Sequence, residues 1–281
     1  MAKKNKKNSL SVQASSRLLL DNAQIQPDLK FRVEEAYKTI RANIMFSAIK
    51  KGCKTIVVSS SLPNEGKTTT TVNLAVTISQ ADQRVLLIDG DLRKPKIHHY
   101  FDLPNSPGLT NHLSDIISGK RTADLFSIIH PTQYENLSVV CSGSIPPNPA
   151  ELLGSDFMTE FLDDVSKDFD YIIIDTPPIN VVSDSLALIR ESDGVVLVVR
   201  SNHSTHPELQ KALSSLEFID AKILGFVVNF AESKASKYRM SYNYSGYGAY
   251  GNYNGYSGYY RSSGRYSGYK AYKSNNQGDF K

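Results

Sequence analysis

Tryptophan is missing from this 281-residue chain, and cysteine nearly so: Cys53 and Cys141 are its two thiols, with no Cys-x-x-Cys pair. That excludes a disulfide scaffold and a cysteine-built zinc site, and fits buried or half-buried thiols of a reducing compartment. No apolar run approaches the ~18 residues of a membrane span. Runs such as Ile172–Ile174 and Val195–Val199 have strand length. Lys3, Lys4, Lys6 and Lys7 have no apolar stretch behind them, so they do not read as a signal peptide, and a cytoplasmic chain is expected. Acids are missing from residues 1–17, which carry five positive charges. Residues 234–281 have one acid, Asp279, against eight Lys and Arg. The net charge of +4 therefore hides a body, 18–233, of −8 between two basic ends. A whole-domain nucleic-acid binder would carry its basic face on folded elements, so no nucleic-acid partner is expected.

Three zones follow from composition. Residues 1–30 read as a basic, flexible arm, 31–233 as the folded domain, and 234–281 as a tail. In the domain, apolar runs at Thr55–Ser59, Arg84–Ile88, Leu137–Cys141, Tyr171–Ile174, Val195–Val199 and Ile223–Val228 are separated by helix-length segments such as Thr68–Gln80. Continuous apolar strands alternating with helices predict an α/β fold: a mostly parallel sheet with helices on both faces and a ligand beyond the carboxyl ends of the strands. A helix over Glu34–Lys50, with Ala36, Ile40, Ile44, Phe46 and Ala48 as its apolar residues, precedes the first strand. On spacing alone, its Glu35, Lys38 and Arg41 read as a solvated face with i,i+3 pairing.

The chemistry concentrates where strands end. Ser61-Leu62-Pro63-Asn64-Glu65-Gly66-Lys67-Thr68 follows a strand and opens a helix. It matches the phosphate-binding P-loop GxxxxGK[ST], with Ser61 in place of the first glycine. Such a loop turns its amides toward phosphates, the helix adds the positive end of its dipole, Lys67 neutralises β- and γ-phosphate charge, and the Thr68 hydroxyl can ligate Mg²⁺. Ser61, Asn64, Glu65, Gly66, Lys67, Thr68 and Thr69 are thus the expected nucleotide-binding residues. Asp89, Asp91 and Asp175 each follow an apolar run. One such aspartate is commonly a cap or turn residue, but three beside a P-loop indicate a Mg²⁺–ATP site. Arg93 reads equally as a phosphate contact or as an aspartate's partner. The histidines lack metal-ligand spacing, and no thiol or hydroxyl nucleophile has a paired base.

The tail holds twelve of the sixteen tyrosines, eight glycines and eight serines, and no Val, Ile or Leu. It cannot bury a core and reads as disordered. Tyr244, Tyr247, Tyr250, Tyr253, Tyr256 and Tyr259 recur at a period of three, as do Tyr266, Tyr269 and Tyr272. An adhesive segment, an aromatic platform for single strands and a spacer are open readings. Attached to an ATP site, the repeated hydroxyls also suggest the enzyme's own substrate.

Several segments together resemble the bacterial tyrosine kinases, in particular the soluble kinase chain of their two-chain form. These are Glu35-Ala36-Tyr37-Lys38-Thr39-Ile40-Arg41, the P-loop, Asp89-Gly90-Asp91-Leu92-Arg93, Pro146-Pro147-Asn148-Pro149-Ala150-Glu151-Leu152-Leu153, Ile174-Asp175-Thr176-Pro177-Pro178 and the tyrosine cluster. The resemblance covers about residues 31–273. It implies ATP-dependent autophosphorylation of the tail, with Tyr260 joining the acceptors named above. Lys67, Asp89 and Asp91 would be catalytic, with Asp89 the candidate base; Thr68, Asp91 and Asp175 would hold Mg²⁺. It further implies a ring built through Glu35, Lys38 and Arg41, with Lys38 standing where the family has Arg, and a membrane-spanning activator on a separate chain. A phosphotyrosine phosphatase and a role in capsule or exopolysaccharide production at the inner membrane face also follow. A related reading, a positioning ATPase of the ParA and MinD type, would want a second lysine at the position of Leu62.

Overall fold

A computed structural model describes residues 26–48, 50–119 and 125–231. Most of the arm and the entire tyrosine-rich tail, with every acceptor from Tyr244 to Tyr272, lie outside the described residues.

Helix α1 (Pro27–Ser47) leads into β1 (Lys54–Ser60), α2 (Lys67–Ser79) and β2 (Val85–Asp89). A single turn α3 (His98–Phe101), α4 (Leu109–Ile117) and a 3₁₀ turn follow, then β3 (Ile129–Pro131), β4 (Leu137–Val140), α5 (Pro149–Leu153) and α6 (Asp156–Val165). The last elements are β5 (Tyr171–Asp175), α7 (Asp184–Arg190), β6 (Gly194–Arg200), α8 (His206–Phe218) and β7 (Ile223–Asn229). The strands form one sheet ordered β3-β4-β2-β5-β1-β6-β7. Every pairing is parallel except the antiparallel β3 with β4. The apolar runs thus become the six parallel strands. The short β3, with its proline, carries no such run; it sits at an edge, where a missing amide donor costs least.

Strands β2 and β5 are buried along their whole length. Two apolar layers cover the sheet: one joins Ile56, Val58, Leu87 and Ile173 to α1 and α2, the other Val57, Leu86, Ile88, Ile172 and Ile174 to α6, α7 and α8. Each large aliphatic side chain buried this way is worth about 1.5–3 kcal/mol. The opposite edge differs. Along β7, Phe226 and Val228 point outward and are about half exposed, while Leu224 and Val227 pack inward.

Helix α1 departs from expectation. Pro27, whose missing amide suits a first helical turn, starts it seven residues before Glu34. Its buried residues are Tyr37 and Ile44, whereas Ala36 and Phe46 of the anticipated apolar face are exposed. Contact with α2 sets the face, because α1 packs on that helix and on β7 rather than on the sheet's centre.

Candidate functional site

Of three parallel strands side by side, β2, β5 and β1, the last runs two residues past the level of Asp175, and register aligns Asp89 with Asp175. Gly90 permits this. Its amide donates to the Asp175 carbonyl at 2.8 Å, and a Cβ on it would lie 2.8 Å from that oxygen. Any larger residue would push the two strand ends apart. From β1 the chain turns through Ser61–Gly66 into α2. Asn64 and Gly66 are left-handed, φ 64° and 90°. Asn adopts that region more readily than other L-residues. At Gly66 a Cβ would also fall 2.5 Å from Asn229 Nδ2. No side chain caps the α2 N-terminus, so its first amides and dipole are available to an anion.

Lys67 Nζ, largely buried, lies 3.0 Å from Asp91 Oδ2. Burial disfavours the ammonium, but Asp175, Asp91 and Asp89 outweigh it and move its pKa upward. Thr68 donates to Asp175 Oδ2 at 2.6 Å and Thr71 to Oδ1 at 3.0 Å. Burial pushes the Asp175 pKa up, while Lys67 and the two hydroxyls pull against it. Asp89 is fully buried. Its Oδ2 accepts the amides of Lys96 and Ile97 at 3.0 and 2.9 Å, and its Oδ1 has no hydrogen-bond partner. Burial first, then the Asp175 charge, push the Asp89 pKa to about 7, which suits a proton acceptor near neutrality.

Behind the loop sits another carboxylate. Glu65 is completely buried. It accepts from the Leu62 amide at 2.8 Å, from Ser61 Oγ at 3.0 Å and from Ser204 Oγ. Arg200 donates to the Asn64 carbonyl at 3.1 Å with its guanidinium over Phe230. Asn229 Nδ2 reaches the Glu65 carbonyl and Thr70 Oγ1, both at 3.0 Å. The ends of β6 and β7 therefore grip the P-loop from outside.

A cavity of about 460 Å³ opens over the loop, between Asn64, Gly66, Lys67, Thr68 and Thr69 on one side and Asp91, Tyr100, Pro177 and Val181 on the other. The structure brings most of the expected residues to this cavity, with three differences, the first being that Asp89 and Asp175 lie buried behind its lining. Ser61 and Glu65 do not line the cavity; their side chains brace the loop internally. Arg93 makes a bidentate pair with the buried Asp184, at 2.7 and 3.0 Å, while bordering the cavity, so the aspartate side of its open reading is realised. Among the described residues, no three His, Cys, Asp or Glu side chains converge as a metal cluster. The donor set nonetheless suits Mg²⁺: oxygen only, one or two carboxylates, one hydroxyl, and the unspent Asp89 Oδ1 nearby. Asn229, Arg200, Ser204 and Asp184 were not singled out from sequence. Asn229 had a usable signal, since it too ends an apolar run.

Of the three α1 residues, Lys38 pairs with Glu35 at 2.8 Å on the exposed face, as its spacing predicts. Arg41 instead turns inward and donates to the Thr77 carbonyl of α2 at 2.7 Å. Tyr37, also buried, hydrogen-bonds Thr70, and burial pushes its hydroxyl pKa to about 12. The thiols are a half-buried Cys53 and a buried Cys141, pushed by burial to about 11 and about 12, well away from the thiolate range.

A phosphate loop opening a helix, carboxylates on neighbouring parallel strands and a cavity between them define a P-loop nucleoside triphosphatase fold. The AAA domain family matches residues 53–224. The chain is 40% identical over 205 residues to tyrosine-protein kinase YwqD of Bacillus subtilis (strain 168), covering 73% of this chain and 84% of that protein. Among solved structures, the chimerical protein CapA2B2 is similar at 36% identity and TM-score 0.66, over 76% of this chain and 89% of that one. The kinase domain of Escherichia coli tyrosine kinase ETK is similar at 31% identity and TM-score 0.63, over 71% and 78%. The chain belongs to the bacterial tyrosine kinase family.

Proposed function

We propose that this protein is an ATP-dependent tyrosine kinase whose acceptors are the tyrosines of its own tail. The observation that carries the reading is the convergence of Lys67, Thr68 and Asp91 on one cavity, with Asp175 bonded to Thr68 behind them and the unsatisfied Asp89 buried nearby. ATP would lie with its phosphates against the loop amides and the α2 N-terminus. The γ-phosphorus bond to its bridging oxygen breaks, a bond to the tyrosine oxygen forms, ADP leaves, and the phenolic proton passes to Asp89. Lys67 and the loop amides stabilise the charge developing on the phosphoryl oxygens. Thr68 and Asp91, with Asp175 directly or through water, would hold Mg²⁺, which would supply charge neutralisation between the phosphates.

Transfer between subunits of a ring formed through the α1 motif, an activating membrane-spanning partner, a counteracting phosphatase and control of capsular or exopolysaccharide synthesis from the inner membrane face complete the reading. Similarity to CapA2B2 and to YwqD supports it. No helix among the described residues is long and apolar enough to cross a membrane, so attachment would run through that partner and the basic N-terminal residues. Each added phosphate contributes roughly −1.5 to −2 charges. Heavy phosphorylation therefore reverses the tail's charge and repels the acidic body, loosening subunit contacts.

The test is labelled ATP with Mg²⁺, with and without residues 234–281, in the presence of the partner's cytoplasmic segment. Label on tail tyrosines is expected. ATP hydrolysis without label would instead favour a nucleotide switch of the positioning-ATPase kind.

A further inference from the structure

The cavity mouth presents a charge mismatch. The acceptor segment is cationic before modification, at +7 over residues 234–281. A site evolved to receive it should show carboxylates at its rim. The rim shows the opposite. Lys94 and Lys96 border the cavity and are exposed, and neither has an ion-pair partner among the described residues. The neighbouring Arg93 is already engaged by Asp184, which leaves these two lysines as the rim's unspent positive charge. Their place is also fixed. The Lys94 amide donates to Asp91 Oδ1 at 3.1 Å and the Lys96 amide to Asp89 Oδ2 at 3.0 Å. Both side chains therefore start from backbone bonded to the very carboxylates that would manage the transfer. An acceptor tyrosine at the cavity has another tyrosine three residues away along most of the tail, roughly 10 Å in an extended chain, within reach of a lysine rooted beside the catalytic carboxylates.

We propose that Lys94 and Lys96 form a docking subsite for phosphotyrosine, so that a modified tyrosine positions its neighbour three residues along for the next transfer. The inference rests on the kinase reading above and adds an order to it. The first phosphate goes in against the rim charge, and the following ones are drawn by it. A phosphate near pH 7 meeting two ammonium groups at a partly exposed site is worth about five- to tenfold in affinity, and salt screens it.

The test uses the dephosphorylated full chain, with the partner's cytoplasmic segment present, and two synthetic peptides spanning residues 244–253, identical except that one carries phosphate on Tyr247. Binding is followed by fluorescence anisotropy, and transfer to the remaining tyrosines by labelled ATP. The phosphopeptide is expected to bind about five- to tenfold tighter and to show a kcat/KM higher by a similar factor. Lys94→Ala with Lys96→Ala should bring both ratios close to one, Lys94→Arg with Lys96→Arg should keep them, and high salt should shrink them. Equal binding of the two peptides overturns the proposal. So does a preference that survives in the alanine double variant, or a double variant that raises KM for ATP while leaving the peptide ratio intact, since the lysines would then serve the nucleotide. If the binding preference is present but neither peptide is ever phosphorylated, the kinase reading fails and the subsite stands. If both peptides are phosphorylated alike and bind alike, the subsite fails and the kinase reading stands.

Discussion

Two buried carboxylates, one in the P-loop and one beside it, are bonded in opposite ways. Glu65 has both oxygens occupied, by one amide and two hydroxyls, within the brace formed by the ends of β6 and β7. Asp89 has one oxygen bonded to two amides and the other bonded to nothing. A fully satisfied buried carboxylate fixes the geometry around it. One left half-satisfied among other negative charges holds its proton more tightly and remains able to accept one. The contrast separates a carboxylate spent on structure from one left open for the chemistry proposed for it, within one loop's surroundings.

The hardest blow to the chemical side is Lys67→Met. It should lower phosphotyrosine formation by about 10³-fold, because Lys67 is the lysine that pairs with Asp91 at the mouth of the P-loop. Retained label would move the site elsewhere. Asp89→Asn should follow, at about 10²-fold or more if Asp89 takes the phenolic proton, with nucleotide binding little changed.

The same variant tests the electrostatics independently of catalysis. The folded-state pKa of about 7 lies above the ~4 of an unfolded aspartate, so folding favours the protonated carboxyl. That contribution is fully present below about pH 4 and is lost as pH rises through about 7. In metal-free buffer, wild-type stability should decline across this window relative to Asp89→Asn, as read by thermal or urea unfolding. Parallel pH profiles would remove the case for a strained carboxyl.

On the structural side, Ser204→Ala should weaken nucleotide binding by about five- to tenfold, corresponding to one hydrogen bond to a buried charge. Ser204→Thr should restore it. Combining Ser204→Ala with Glu65→Gln should add little, since both act on one brace. The smallest effect belongs to Tyr37→Phe, which removes a single hydroxyl contact between α1 and Thr70 and should cost about 1 kcal/mol of stability. A larger change in ATP affinity than in stability would show that α1 also reports to the P-loop.

Legibility in the sequence followed chain locality. The six parallel strands, the P-loop and the three strand-end aspartates each depend on a handful of consecutive residues, and all were readable. Asn64's left-handed turn was readable for the same reason, since the demand and the residue that meets it share a position. The start of α1 at Pro27 was missed because its first apolar residues, Leu29, Phe31 and Val33, recur at a period of two and not at a helical one. Its buried face was read only in part, Ile44 and Ala48 but not Tyr37, because it packs on another helix and on the sheet's edge strand.

What the sequence determined alone is the α/β class, the phosphate loop and the set of carboxylates, since strand periodicity and loop chemistry are local. What only the tertiary structure decided is which carboxylate is tied to partners and which is left open. Arg93 meets Asp184 across 91 positions, and Ser204 meets Glu65 across 139. Partners so distant in the chain leave no local pattern. Burial, which raises Asp89 and spares a solvated aspartate, is a property of the folded surroundings and of no single residue.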